Sequence, residues 1–160
     1  LVRPSSSVGP SAWVRPSSGA GAFGIDLASR LGMGVSRFED LRMWQEAKRQ
    51  SDRVFELTCR PTFSHDPEIR NQINAATLSV MNNISEGFLR RRDSEARQFL
   101  RYAAASNGEV RSSLHAAVGR KYLSEGEGNE FIDHSNVIGK MITRYQASLE
   151  SSITRSKSRR

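Results

Sequence analysis

Between residues 36 and 150, apolar side chains recur every three or four positions in four runs, each separated from the next by a short polar break. That spacing predicts amphipathic helices. In the first run Leu41, Trp44, Ala47, Ser51, Val54, Phe55 and Thr58 share a face, and the helix is expected to reach about Arg60. Ser36-Arg37-Phe38-Glu39 ahead of it has the form of a capping box, which places the helix start at Ser36. The second run carries Ile69, Ile73, Ala76, Val80, Asn83 with Ile84, and Gly87, to about Arg90. Asp66 is its expected cap, and Pro67 takes the first position, where a missing N–H costs nothing. The third seam reads Phe99 with Leu100, Ala103, Ser106, Val110, Leu114, Ala117 and Lys121, opened by Asp93 or Ser94 and ending near Tyr122. The fourth face holds Phe131, Ile132, Ser135, Ile138, Met141, Ile142, Tyr145 and Leu149. It starts either at Ser124, with Glu127 completing a capping box, or at Asn129, because Gly126 and Gly128 weaken the first turn.

No alternating apolar and polar segment accompanies these runs, so the fold class is all-α. Short connections make consecutive helices antiparallel neighbours in an up-down-up-down four-helix bundle over residues 36–150. Residues 1–35 are rich in Ser, Gly, Pro and Ala without periodicity, and are read as a disordered extension. Met33, just ahead of the first periodic segment, is a candidate start for the functional protein, which would make the preceding stretch non-native. Residues 151–160 are expected to form a short polar and basic tail.

The run Asn82-Asn83-Ile84-Ser85-Glu86-Gly87-Phe88-Leu89-Arg90-Arg91-Arg92 turns an amphipathic helix end into a triple-arginine corner. With Phe38-Glu39-Asp40-Leu41, Trp44-Gln45-Glu46-Ala47, Gln72-Ile73-Asn74-Ala75-Ala76 and Phe99-Leu100-Arg101-Tyr102-Ala103, followed by Ser106 and Glu109, it forms an ordered set of motifs. In these the chain resembles the four-helix-bundle family of 23S ribosomal RNA intervening-sequence proteins, related to the accessory variability determinant proteins of diversity-generating retroelements. The resemblance covers about residues 36 to 150. Ser85 stands where the family usually has alanine, and Asn74 where it often has arginine. The resemblance implies an all-α bundle that assembles into a homo-oligomer, a ring-shaped pentamer. Its retroelement relatives resemble nucleic-acid-binding partners of a reverse transcriptase, so nucleic acid and such a protein are the implied partners. It implies no reaction.

Charge refines this picture. The chain carries a formal net charge of +7, which favours an anionic partner, nucleic acid ahead of a membrane surface. Yet residues 36 to 150 hold 17 Lys plus Arg against 16 Asp plus Glu, so most of the excess lies in the terminal segments. Within the bundle, Arg90, Arg91, Arg92, Arg97 and Arg101 form the densest cationic group. Guanidiniums in a cluster neutralise phosphates and release counterions; the bland alternative is a solvated corner that caps a helix C-terminus. The tail cations Arg155, Lys157, Arg159 and Arg160 are either a nonspecific contribution to such binding or a solubilising end.

Asn83, Glu86, Gly87 and Ser106 interrupt apolar seams and are read as a structural motif that fixes register and assembly, with ligand binding as the alternative. A second-to-third-helix hairpin centred near Arg92 sets Glu86 opposite Gln98, and Asn83 opposite Arg101 and Tyr102. Trp44 and Phe55 share a face with Leu41 and Val54 and are read as core. The single Cys59 excludes an internal disulfide and fits a cytoplasmic location. No membrane-length apolar stretch or secretory signal pattern is present. His65, His115 and His134 are far apart, and Glu130 with His134 supplies only two ligands on one helix face, so no metal site, cofactor or catalytic constellation is assigned. The expected function is non-enzymatic: binding of structured RNA or DNA, or of a nucleic-acid enzyme, through basic surfaces. The alternative is a protein-interaction scaffold with no direct nucleic-acid role.

Overall fold

A computed structural model describes residues 35–90 and 92–158. Residues 1–34, including the candidate start Met33, lie outside the described residues, as do Arg91, Arg159 and Arg160. Four α-helices carry the chain: α1 Arg42–Thr58, α2 Pro67–Leu89, α3 Asp93–Gly119 and α4 Glu125–Lys157, with no strand among the described residues. Consecutive helices pack side by side and α1 also meets α4, closing the bundle. The second and third helices are joined by three residues, too few for anything but an antiparallel return.

The core is largely the set of seams foreseen in the sequence, with α1 rotated and with Lys121, expected on the third seam, exposed beyond the end of α3 at Gly119. Ile73, Ile84, Leu100, Val110, Leu114, Ile138, Ile142 and Leu149 are fully buried. On α1 the buried stripe is instead Met43, Ala47, Gln50, Val54 and Leu57, with Ser51 and Thr58 at its edge. Phe55, expected in the core, is 63% exposed. It shares one helical step with Val54, and the stripe is centred on Val54 and Leu57 and turns Phe55 outward. Trp44 is partly buried, with Phe38 at 5.2 Å and edge-on to its ring.

Several helix ends differ from expectation. Ser36 and Glu39 make no capping box. A 3-10 turn covers Phe38–Asp40, Leu41 is the extended N-cap of α1 without a side-chain cap, and the Glu39 carboxylate is held by Arg37 at 3.0 Å. Neither Asp93 nor Ser94 caps α3: the N-cap is Arg92, and Asp93 inside the first turn accepts from Ser152 Oγ at 2.6 Å. By contrast, Asp66 Oδ1 accepts from the Ile69 N–H at 3.1 Å, and Ser124 with Glu127 forms the full capping box of α4. The fourth helix runs on through Lys157, so residues 151–157 are helical.

Between α3 and α4 the chain closes with Tyr122 N–H bonded to the Ala117 carbonyl and Lys121 N–H to that of Val118, both at 2.9 Å. This is the Schellman pattern, whose left-handed position is filled by Lys121 at φ 61°. Between α1 and α2, Pro61–Phe63 form a 3-10 turn that drops Phe63 into the core, 5.3 Å from the Tyr122 ring.

Candidate nucleic-acid interface

The α2–α3 hairpin is built around a close approach at Gly87. A Cβ at that position would meet the Ala96 carbonyl oxygen at 3.2 Å and Phe99 Cβ at 3.3 Å. About two turns below it, Ser79 Oγ and Ser106 Oγ hydrogen-bond across the helices at 2.8 Å, which places the hairpin centre near Arg92 as the counting suggested. The partners of the polar seam are different, however. Asn83 Nδ2 donates along its own helix to the Ser79 carbonyl at 2.8 Å and to Ser79 Oγ at 3.1 Å, so it reaches α3 only through Ser79. Glu86 is exposed and takes Arg90 at 2.6 Å rather than Gln98. The interhelical motif is therefore Ser79, Asn83, Gly87 and Ser106, while Glu86 belongs to the surface.

The corner arginines are mostly engaged. Arg90 lies 4.4 Å over the Phe99 ring besides its bond to Glu86. Arg92 sits 3.7 Å from Glu95, and Arg97 of α3 pairs with Glu150 of α4. Arg101 is exposed and has no carboxylate partner among the described residues. It joins Arg97 and Glu150 around a shallow hollow between α3 and α4 that also touches Thr143. Arg90 is not part of that hollow, so the structure divides the sequence cluster between the turn and the α3–α4 surface.

Thr143 is shared with a second, larger hollow of about 600 Å³ on the same side of the bundle, bordered by Arg111, Lys140 and Arg144. These three were not singled out in the sequence. Their i, i+4 spacing on α4 was visible, but only the packing of α4 beside α3 brings them next to Arg111.

Elsewhere, most cations are neutralised in place, Arg42, Arg70 and Lys121 being without a carboxylate partner among the described residues. His134, expected to share a face with Glu130, bonds Glu46 of α1 at 3.0 Å, and Glu130 lies 3.7 Å from Arg53. Burial raises the Glu46 carboxyl, but the His134 hydrogen bond and the charge and hydrogen bond of Arg49 outweigh it and hold Glu46 below its ordinary value. At the other end of the bundle, the Ile69 N–H bond, aided by Tyr122 and Arg120, holds Asp66 below the usual carboxylate value against the opposing effect of burial. Among the described residues no three His, Cys, Asp or Glu side chains gather into a metal-binding group, and no helix is long and apolar enough to cross a membrane.

An all-α bundle with a small-residue α2–α3 interface and a cationic hollow between α3 and α4 is the class that fold and surface define. The family model for the 23S rRNA-intervening sequence protein matches residues 39–144, and the chain belongs to that family. No curated protein matches the chain. Neither the family's description nor the all-helical architecture suggests catalysis.

Proposed function

We propose that this is a non-enzymatic, oligomeric bundle that binds structured RNA or DNA, or a nucleic-acid enzyme such as a reverse transcriptase, in the cytoplasm. The observation that carries the reading is the set of five arginines between positions 90 and 101, on a chain of net charge +7. The family's description, which refers to an intervening sequence of ribosomal RNA, supports RNA as the first ligand to try. The mechanism is electrostatic positioning. Cations displace counterions from phosphates, giving affinity that falls steeply with salt, and repetition in a homo-oligomer, a pentameric ring in the reading adopted here, multiplies a weak patch.

Anisotropy with a labelled RNA hairpin tests it. Binding is expected to weaken as salt rises from about 50 to 200 mM, and the double variant Arg91→Glu, Arg92→Glu is expected to bind about tenfold more weakly. The RNA should be recovered intact from the mixture. Absence of binding at the lowest salt removes the reading, and a strict monomer in light scattering removes the ring.

A second reading, a protein-interaction scaffold, is favoured by one observation. Phe55 and Leu78, 63% and 52% exposed, border a groove of about 870 Å³ between α1 and α2. Exposed apolar rings and chains beside a groove are a feature of protein interfaces more than of phosphate sites.

A further inference from the structure

Most cations of the bundle face a carboxylate: Arg37, Lys48, Arg49, Arg53, Arg60, Arg90, Arg92, Arg97 and Arg120 all do. On the α3–α4 surface the pattern changes. Arg101, Arg111, Lys140 and Arg144 have no carboxylate partner among the described residues, and no acidic side chain borders the larger hollow. Arg42, Arg70 and Lys121 also lack a carboxylate partner among the described residues, but none of them borders this groove; the larger hollow gathers three such cations with no acid beside them, and the one carboxylate of the adjoining hollow, Glu150, is taken by Arg97.

We infer that the groove between α3 and α4, walled by Arg111, Lys140 and Arg144 and continued by Arg101, binds the phosphodiester backbone of a double-helical nucleic acid. The inference rests on the nucleic-acid reading above and moves the principal site from the arginine corner to this face. Three features select the occupant.

The first is length. Arg101 and Arg111 lie on one helix about 15 Å apart along its axis at 1.5 Å per residue and border adjoining hollows that share Thr143, so the cations are spread over the span of several phosphates. The second is the floor. Ala104 and Gly139 present no large apolar side chain to a protein partner. Asn107, 3% exposed, donates its Nδ2 to the Ser135 carbonyl at 2.9 Å, and its Oδ1 has no partner among the described residues. A polar, unsatisfied floor suits a hydrated sugar-phosphate chain better than an apolar insert. The third is the lack of any aromatic ring lining either hollow. Single-strand binding relies on rings that stack bases, whereas a duplex keeps its bases inside and offers only backbone. Arg111 is also pre-oriented, donating to Asn136 Oδ1 at 3.2 Å from across the groove.

The test uses the full chain, a labelled 20-base-pair RNA duplex and the DNA duplex of the same sequence, each titrated at several salt concentrations. Three proteins are compared: wild type, the groove variant Arg111→Gln, Lys140→Gln, Arg144→Gln, and the corner variant Arg91→Gln, Arg92→Gln. Arg92, Arg111, Lys140 and Arg144 are exposed, and circular dichroism checks that each variant is folded. The groove variant is expected to bind at least tenfold more weakly, with a salt dependence shallower by about 2–3 in the logarithmic slope, one for each phosphate contact removed. Loss on both duplexes, or on RNA alone, supports the inference and identifies the source of the backbone. A groove variant that matches wild type overturns it; if the corner variant is the weakened one, the nucleic-acid reading survives at the other site. Wild type that binds neither duplex removes both. A polyglutamate peptide bound more tightly than either duplex at equal salt also overturns it, in favour of an acidic protein partner.

Discussion

At the scale of single residues, two helical glycines with the same propensity cost have opposite reasons to be there. Gly87 is in contact with α3 through its missing side chain, and any Cβ presses on the Ala96 carbonyl and on Phe99 Cβ, both fixed to a helix backbone. Gly108, in the middle of α3, has nothing within 4 Å of such a Cβ. Alanine is the better helix former by about 0.8–1 kcal/mol. Gly108→Ala is therefore expected to raise stability by about 0.5–1 kcal/mol, since it gains propensity and meets no neighbour. Gly87→Ala is expected to lower stability by about 1–2 kcal/mol, because overpacking against a rigid partner exceeds the propensity gain. Paired urea unfolding curves read both, and a Gly87→Ala protein as stable as Gly108→Ala would show that α3 yields freely. From sequence the two positions look alike; only the facing helix separates them.

At the scale of elements, the start of α2 depends on one carboxylate. Asp66 accepts from the Ile69 N–H on one oxygen and from Tyr122 Oη at 3.0 Å and Arg120 on the other, so it caps α2 and fastens the α3–α4 turn to it. Its folded-state value is lowered by these bonds, the Ile69 N–H bond first among them. A carboxylate depressed by folding contributes stability that is complete above its unfolded value, about 3.9 for Asp, and is lost as pH falls through the lower folded value. Asp66→Asn keeps a capping side chain but removes the charge. It is expected to melt below wild type at pH 7, and the gap is expected to close as the pH is lowered below about 3. A gap that stays constant down to pH 2 would assign the effect to geometry instead of charge. The Asp66 and Ser124 caps were legible because both lie directly before an amphipathic run. The Ser36 box was not realised: Arg37 captures Glu39, and Phe38 packs on Trp44, which favours a 3-10 turn ahead of the helix.

At the scale of the whole molecule, the bundle closes where α1 meets α4, through a polar staple. Gln50, 2% exposed, donates Nε2 to Ser135 Oγ at 2.5 Å and to the Phe131 carbonyl at 3.1 Å. His134 with Glu46 and Arg60 with Glu127 cross the same seam. Gln50→Ala removes the bond and leaves a hollow in a closed interface, for an expected loss of about 2–4 kcal/mol. Hydrogen exchange is expected to show α1 losing protection before the α2–α3 hairpin does. If protection falls equally in all four helices, closure and hairpin form one cooperative unit.

Helix number, approximate bounds and most of the buried seams followed from the sequence, since an apolar residue every three or four positions has one low-energy solution in water: a helix with its stripe covered. The close approach of α2 to α3 at Gly87 and Ser106 was also legible, because small residues interrupt both apolar seams on either side of a short turn. The tertiary structure decided what depends on neighbours. It turned Phe55 outward and drew Gln50 in, because the rotation of α1 is set by both helices it packs against, α2 and α4. It took Glu86 out of the interhelical motif, because its exposed carboxylate is bonded to Arg90 one turn away. And it decided where positive charge stays unpaired, since only the juxtaposition of α3 with α4 brings Arg111, Lys140 and Arg144 to one groove that no carboxylate borders.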